Sequence, residues 1–308
     1  MKNYLSFHLN GKQLFPYWIS TYLLGVVLVV IYSLRSKAIL NGDVSFGTSL
    51  MLVLTFLLLI GVIYVFYYYV IRFTTESIEY EEERLATSYS ISQFLGMLIL
   101  GIFLSIITLG IYLPWFIQRL YVFFIEGASY KGVGYKFDGD GLTLFGILTL
   151  MVVLPIITLS IICATLFGVG SSEEAILVNI YQLIILAPLY TLLFKWMVNG
   201  SYNGYIISLK VKFFSFMGFI FLHLLLTVLT VGIYFPLFYL KIYKYVLSHV
   251  SCENAAGDKV RLDYDIEHGR DFLFIWGQLL LTIVTLGIYL PWAYTEIMRR
   301  IFTKTSIE

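Results

Sequence analysis

The chain has 308 residues, 59% of them hydrophobic and 13% charged, with a formal net charge of +1. Soluble domains run at roughly 45–50% apolar and about 25% charged residues, so a soluble fold is excluded by the apolar surface it would expose. The charge gives no general attraction to nucleic acid, and two isolated cysteines, Cys163 and Cys252, offer neither a disulfide framework nor zinc-ligand spacing.

The N-terminal residues 4–11 alternate and close on Asn10-Gly11, which predicts a short strand and a turn. They lack the charged, apolar and cleavage regions of a removable signal peptide, so insertion is expected to rest on the first apolar helix. Apolar runs of the length a bilayer requires predict spans at 17–34, 49–71, 92–113, 142–167, 175–198, 213–235 and 271–290. Between them, residues 72–90 hold the acidic run Glu79, Glu81, Glu82 and Glu83, whose spacing fits a solvated hairpin and no calcium loop. Residues 129–138, 199–212 and 248–269 read as further polar hairpins. Residues 115–125, 237–247 and 292–303 read as amphipathic or cationic interfacial helices, carrying Arg119, Lys241 and Lys244, and Arg299 and Arg300. Pro155 and Pro188 are expected to kink the fourth and fifth spans.

Three of the spans end alike. TLGIYLPW occurs at 108–115 and again at 285–292, and TVGIYFPL stands at 230–237. A second anchor, a glycine before a span, recurs at Gly11, Gly141 and Gly269. The two anchors define an internal repeat of about 125 residues, longer than solenoid repeats and of the kind that builds secondary transporters. The expected organisation is residues 1–128, residues 129–248 and a partial third unit, 249–308. The fold class is an all-α polytopic membrane protein with about seven transmembrane helices, short extramembrane β-hairpins and interfacial amphipathic helices. Strict alternation of seven spans divides Lys and Arg almost evenly between the two sides, so the positive-inside rule does not choose an orientation. In a rival topology the signature segments enter and return on one face, which leaves only Arg35 and Lys37 on the other side.

The repeated signature resembles that of the bacterial YjgN-like inner-membrane family, a domain of unknown function. So do the openings at Gly11 and Gly141, and the stretch Ser129-Tyr130-Lys131-Gly132 that leads to Phe137-Asp138-Gly139. The third signature departs from the pattern with Leu237 in place of tryptophan. The resemblance implies a multi-pass protein of the bacterial plasma membrane and supplies no activity.

Candidate site residues follow from the physics of the bilayer. His223 lies deep in the sixth apolar run, where an ionisable group is a functional candidate by default. Broken helices at matching repeat positions point to a transport site, which adds Thr108, Gly110, Thr230 and Gly232 as substrate-binding candidates. A simpler reading makes the signature the end of a span, with Tyr112, Pro114, Trp115, Tyr234, Pro236, Tyr289, Pro291 and Trp292 as membrane-interface anchors. No P-loop, H-E-x-x-H or G-x-S-x-G is present, and His8, His249 and His268 lack ligand spacing. The expectation is therefore no enzyme, no metal and no cofactor. The expected partners are the lipid bilayer and a small solute, not nucleic acid, with protein partners and self-association left open. A small-solute transporter or channel is the first functional reading. The alternative is a non-transporting membrane scaffold or envelope-stress component that binds partners through its hairpins.

Overall fold

The structure, a computed structural model, describes residues 2–42, 44–168 and 170–308. Its helices come in five antiparallel pairs. Two pairs are long: α1 (Gly11–Leu40) with α2 (Phe46–Glu76), and α5 (Gly141–Phe167) with α6 (Ser172–Met197). Three are short: α3 (Ile91–Ile107) with α4 (Leu113–Glu126), α7 (Phe213–Leu229) with α8 (Phe235–His249), and α9 (His268–Val284) with α10 (Leu290–Phe302). The four long helices are long and apolar enough to cross a membrane. At 1.5 Å per residue they extend about 39–46 Å, beyond a hydrocarbon core of about 30 Å. The chain is thus built as a membrane protein, but the seven expected spans are met by four helices of spanning length. The signature segments end in helices of 17 residues, about 26 Å long, each followed at once by a returning helix.

Caps and kinks follow from local sequence. Asn10 accepts a hydrogen bond from the Lys12 N–H while Gln13 Oε1 takes the Asn10 N–H at 3.1 Å, a capping box that starts α1. Ser90 and Gln93 repeat that box at α3. In α5, Pro155 has no N–H to give the carbonyl four residues back, and a π turn forms at Thr149–Val153. The freed carbonyl of Met151 is taken by the Tyr181 hydroxyl of α6 at 2.7 Å.

Every helical pair is closed at its base by the strands that flank it. Strand β2 (Ser6–Phe7) before α1 pairs with β3 (Ile78–Tyr80) after α2. Strand β5 (Ala86–Thr87) pairs with β6 (Ala128–Tyr130) across α3 and α4. Strand β8 (Lys136–Phe137) pairs with β9 (Asn199–Tyr202) across α5 and α6. The α7–α8 pair is closed by β10 (Tyr205–Leu209) and β11 (Val250–Asn254), and α9–α10 by β13 (Leu262–Tyr264) and β14 (Thr305–Ile307). All five pairings are antiparallel, so each helical excursion ends beside the place where it began. The strands left over are β1 (Asn3–Tyr4), β4 (Glu83–Arg84), β7 (Val133–Gly134) and β12 (Lys259–Val260). They extend these clasps into three three-stranded sheets and one five-stranded sheet. Two-residue turns with positive φ at both positions join β3 to β4 (Glu81, Glu82), β6 to β7 (Lys131, Gly132) and β9 to β10 (Asn203, Gly204). That backbone matches the right-handed twist of a hairpin, and the expected polar hairpins are found.

The signature forms the reversal of each short pair. The Gly110 N–H bonds to the Ser105 carbonyl at 2.7 Å and the Leu109 N–H to that of Ile106 at 3.1 Å. This is the Schellman ending of a helix, and it recurs at Gly232 and Val231 and at Gly287 and Leu286. The threonine closes the turn from inside: Thr108 Oγ1 donates to the Leu104 carbonyl at 2.8 Å and accepts the Tyr112 N–H at 3.0 Å. Thr230 and Thr285 make the same two bonds. Pro114, Pro236 and Pro291 then stand in the first turn of the returning helices, where a missing N–H costs nothing.

The five pairs pack one after another, and the last seats on the first. Strand β1 pairs with β14, and the Thr74 and Tyr294 hydroxyls meet at 2.7 Å. Trp18, seven residues into α1, donates from Nε1 to the Gly287 carbonyl at 2.9 Å. The tip of α9–α10 therefore stands only about 10 Å along a helix of spanning length. At the same seam a Cβ on Gly11 would lie 2.6 Å from the Trp292 ring and 2.8 Å from its Cα. Gly141 meets Trp115 in the same way at 2.4 Å, whereas Gly269 has open space around that position. Gly11→Ala and Gly141→Ala are each expected to destabilise the protein by about 1–3 kcal/mol through overpacking. Gly269→Ala is expected to be neutral or stabilising, because it removes helix glycine without a clash. Thermal unfolding in detergent checks the contrast.

Candidate functional site

His223 sits in α7, facing the returning helix α8. It is 6% exposed. Its Nδ1 lies 3.0 Å from the Phe219 carbonyl one turn earlier, and a carbonyl can only accept, so Nδ1 carries the proton. Nε2 is then an acceptor, and it has no hydrogen-bond partner among the described residues. The imidazole belongs to a stacked row: His223 on Phe219 at 4.3 Å, Phe219 on Tyr245 at 4.5 Å and Tyr245 on His249 at 4.2 Å. Phe219, His223 and Tyr245 of this row line a cleft together with Lys241, Lys244, Ser248, Ile266 and His268. Lys241 and Lys244 are half-buried, and neither forms an ion pair among the described residues; Lys241 Nζ lies 5.8 Å from the centre of the Tyr234 ring.

The structure does not gather the other candidates around this histidine. Thr108 and Gly110 belong to the tip of α3–α4, and Thr230 and Gly232 to that of α7–α8; none of the four lines the cleft. Their hydroxyls and backbone are engaged in the reversals described above. Of the aromatic residues, Tyr289 donates to Gln278 Oε1 at 3.1 Å, and Tyr112 and Tyr234 lie under Arg119 and Lys241. Trp115 stacks on Phe145 of the next helical pair at 5.3 Å, and Trp292 packs at a tilt against Phe15 of the first pair at 5.1 Å. What each tip presents outward is apolar: Leu109 is 93% exposed, Val231 91% and Leu286 77%. All three hold φ near +50°, a conformation that costs a residue with a Cβ about 1–2 kcal/mol.

The family model of a bacterial protein of unknown function (DUF898) matches residues 3–260. The chain belongs to this family. It is the family that the repeated signature resembles. No curated protein and no solved structure matches the chain.

The DUF898 match ends before α9, so the seam that joins the last helical pair to the first lies partly outside it. That seam contains a buried charge cluster, which sequence reasoning missed. Asp271 is fully buried in the first helical turns of α9. Its Oδ2 accepts the Glu267 N–H at 2.8 Å, as Gln13 does for α1, and its Oδ1 accepts from Arg300 Nε and Lys304 Nζ, each at 2.6 Å. Burial opposes ionisation of this carboxyl, but the bonds from Lys304, Glu267 and Arg300 prevail and hold it below the usual carboxylate range. Arg299 is also engaged, donating to the Leu9 carbonyl at 2.9 Å. The C-terminal cations, expected to make an interfacial helix, thus tie α10 to α9 and to the N-terminal segment. The signal for Asp271 was its place two residues after the third repeated glycine. In the strand layer, Glu253 joins Lys210 and Lys259, both at 3.1 Å, and the bonds from Lys210, Lys259 and Ser251 hold its pKa down to about 2.

Removing one partner of a buried charge cluster strands the others. Asp271→Asn is expected to lower stability by about 3 kcal/mol, read as a fall in the thermal midpoint. Arg270→Gln, which breaks only the exposed pair with Glu267, is expected to change it by less than about 1 kcal/mol.

Proposed function

We propose that this DUF898 protein is a multi-pass protein of the bacterial plasma membrane that acts as a non-transporting scaffold. In this reading its helices hold a layer of strands at one membrane face for partners to bind. The observation that carries the reading is the strand clasp at the base of all five helical pairs. Four helices then cross the bilayer, and three apolar pairs dip in from the strand side and return. The positive-inside rule supports this arrangement. Every Lys and Arg except Arg35 and Lys37 belongs to the strand layer, to helix turns near it or to a returning helix. The strand layer is cytoplasmic on that count.

The repeat, in this reading, is a long pair followed by a short pair, present twice, with one more short pair closing the seam. A clasp has to stay with its helices. Units 6–130, 136–254 and 262–307 satisfy that condition, whereas breaks at 128 and 248 cut β6 and the last turn of α8.

The transporter reading has less behind it. The large cleft between α1, α2 and α3 is walled mainly by apolar groups such as Leu24, Leu58 and Phe103, with Ser20 and Thr21 at its side. The polar cleft in the strand layer, between Lys210, Glu253, Arg261 and Glu308, is of the kind a protein partner engages. Two measurements separate the readings. A photo-crosslinking residue at Lys259 is expected to give a discrete adduct in cells, and one at Leu166, at the opposite end of α5, none. Liposomes bearing the protein are expected to show no flux of small anions, cations or amino acids above protein-free liposomes. A flux that His223→Ala abolishes contradicts the scaffold.

A further inference from the structure

The cleft beside His223 is built to hold something the chain does not supply. Its lining includes two lysines and two histidines and no carboxylate. Lys241 and Lys244 are three residues apart on one face of α8, and Ser248 continues that face one turn nearer the strands. His223 lies ten residues into α7 at the deep end, and exposed His268 stands at the mouth. Lys244 lies within electrostatic reach of Asp263 and Asp265, but both of these bond to Lys2, at 3.2 Å and 3.3 Å. Half-buried ammonium groups with no carboxylate in ion-pair contact are costly. The histidine adds a second, independent requirement: with its proton on Nδ1, the buried and unpartnered Nε2 needs a donor.

We propose that this cleft binds a phosphate-bearing anion that also carries an O–H. The ammonium groups of Lys241 and Lys244 pair with the phosphate oxygens, and His223 Nε2 accepts from the hydroxyl. Two sources present that chemistry. One is the headgroup of an anionic phospholipid such as phosphatidylglycerol, which reaches the cleft from the bilayer beside α7 and α8. The other is a free phosphate in the hydrogenphosphate form, which enters from the strand side past His268. The site is independent of the scaffold reading, since a scaffold and a transporter would both accommodate it.

The full chain, stripped of lipid in detergent, can be titrated separately with phosphatidylglycerol, phosphatidylcholine and inorganic phosphate. Native mass spectrometry follows lipid retention and equilibrium dialysis follows phosphate. Wild-type protein is expected to retain phosphatidylglycerol over phosphatidylcholine, or to bind phosphate. The double variant Lys241→Gln/Lys244→Gln is expected to weaken that binding about ten- to hundredfold. Lys241→Arg/Lys244→Arg is expected to keep it within about threefold, since the charge is retained. Retention of phosphatidylglycerol alone assigns the site to a lipid headgroup, and binding of phosphate assigns it to a soluble ligand. If the double glutamine variant does not fold, the single Lys244→Gln variant carries the same comparison. Equal retention of the two lipids with no phosphate bound overturns the proposal, as does anion binding that survives the loss of lysine charge.

Discussion

The structure depends on short antiparallel strand pairs at the feet of its helices. Two or three residues on each side suffice at four of the five clasps, and in every case they join the chain just before a helical pair to the chain just after it. An isolated pair this short has little stability of its own. Here each is extended by a neighbouring strand and backed by helix packing, as where Phe7 and Leu9 sit with Leu14 against Phe73 and Phe302. The clasp pairs backbone N–H and C=O groups of the segments on either side of each helical pair. It also sets a direction, because a chain clasped to its own beginning has come back.

The reversal at the other end of each short pair solves the same problem in apolar surroundings. The last carbonyls of α3, α7 and α9 are taken by backbone N–H groups and a threonine hydroxyl, with no charge and no solvated loop. The side chains the tip presents outward can then be apolar, and they are. Leu109, Val231 and Leu286 occupy the left-handed position that usually falls to glycine, with glycine following at the second positive-φ position. A strained, exposed, apolar side chain at three equivalent tips makes sense where the tip meets lipid. The Trp18 bond to Gly287 sets how far one tip goes.

Much of this was legible in the sequence. Apolar length located the four long helices, but α1 begins at Gly11, six residues before the apolar run that predicted it, because Asn10 and Gln13 cap it there. The polar stretches at 72–90, 129–138, 199–212 and 248–269 located the hairpins. The direction of the signature segments was not legible. An apolar run of about 20 residues before Gly110 reads as a full span. The usual sign of a sharp helix ending, glycine at the first left-handed position, is displaced by one residue and masked by Leu109. Residue spacing could not show that Gly11 and Trp292 meet, since their contact joins the two ends of the chain. His223 was legible as a buried ionisable group, but its companions Lys241 and Lys244 read only as the cationic side of an amphipathic helix. The gap closes once α8 is seen to run back along α7. Asp271 was hidden because a carboxylate at the start of an apolar run looks like a solvated helix end, and Arg300 and Lys304 look like surface charge.

The central claim is that every helical pair leaves from and returns to one face, and the loops on either side of α7–α8 test it most directly. With Cys163 and Cys252 replaced, single cysteines at Asn203, in the turn between β9 and β10, and at Ala256, between β11 and β12, can be exposed to a membrane-impermeant maleimide in right-side-out and inside-out vesicles. The clasped structure predicts that Asn203→Cys and Ala256→Cys are labelled in the same vesicle orientation, and that Ser172→Cys, at the far end of α5–α6, is labelled in the other. Labelling of the positions at 203 and 256 in opposite orientations would contradict it, because the signature segment between them would then cross the membrane.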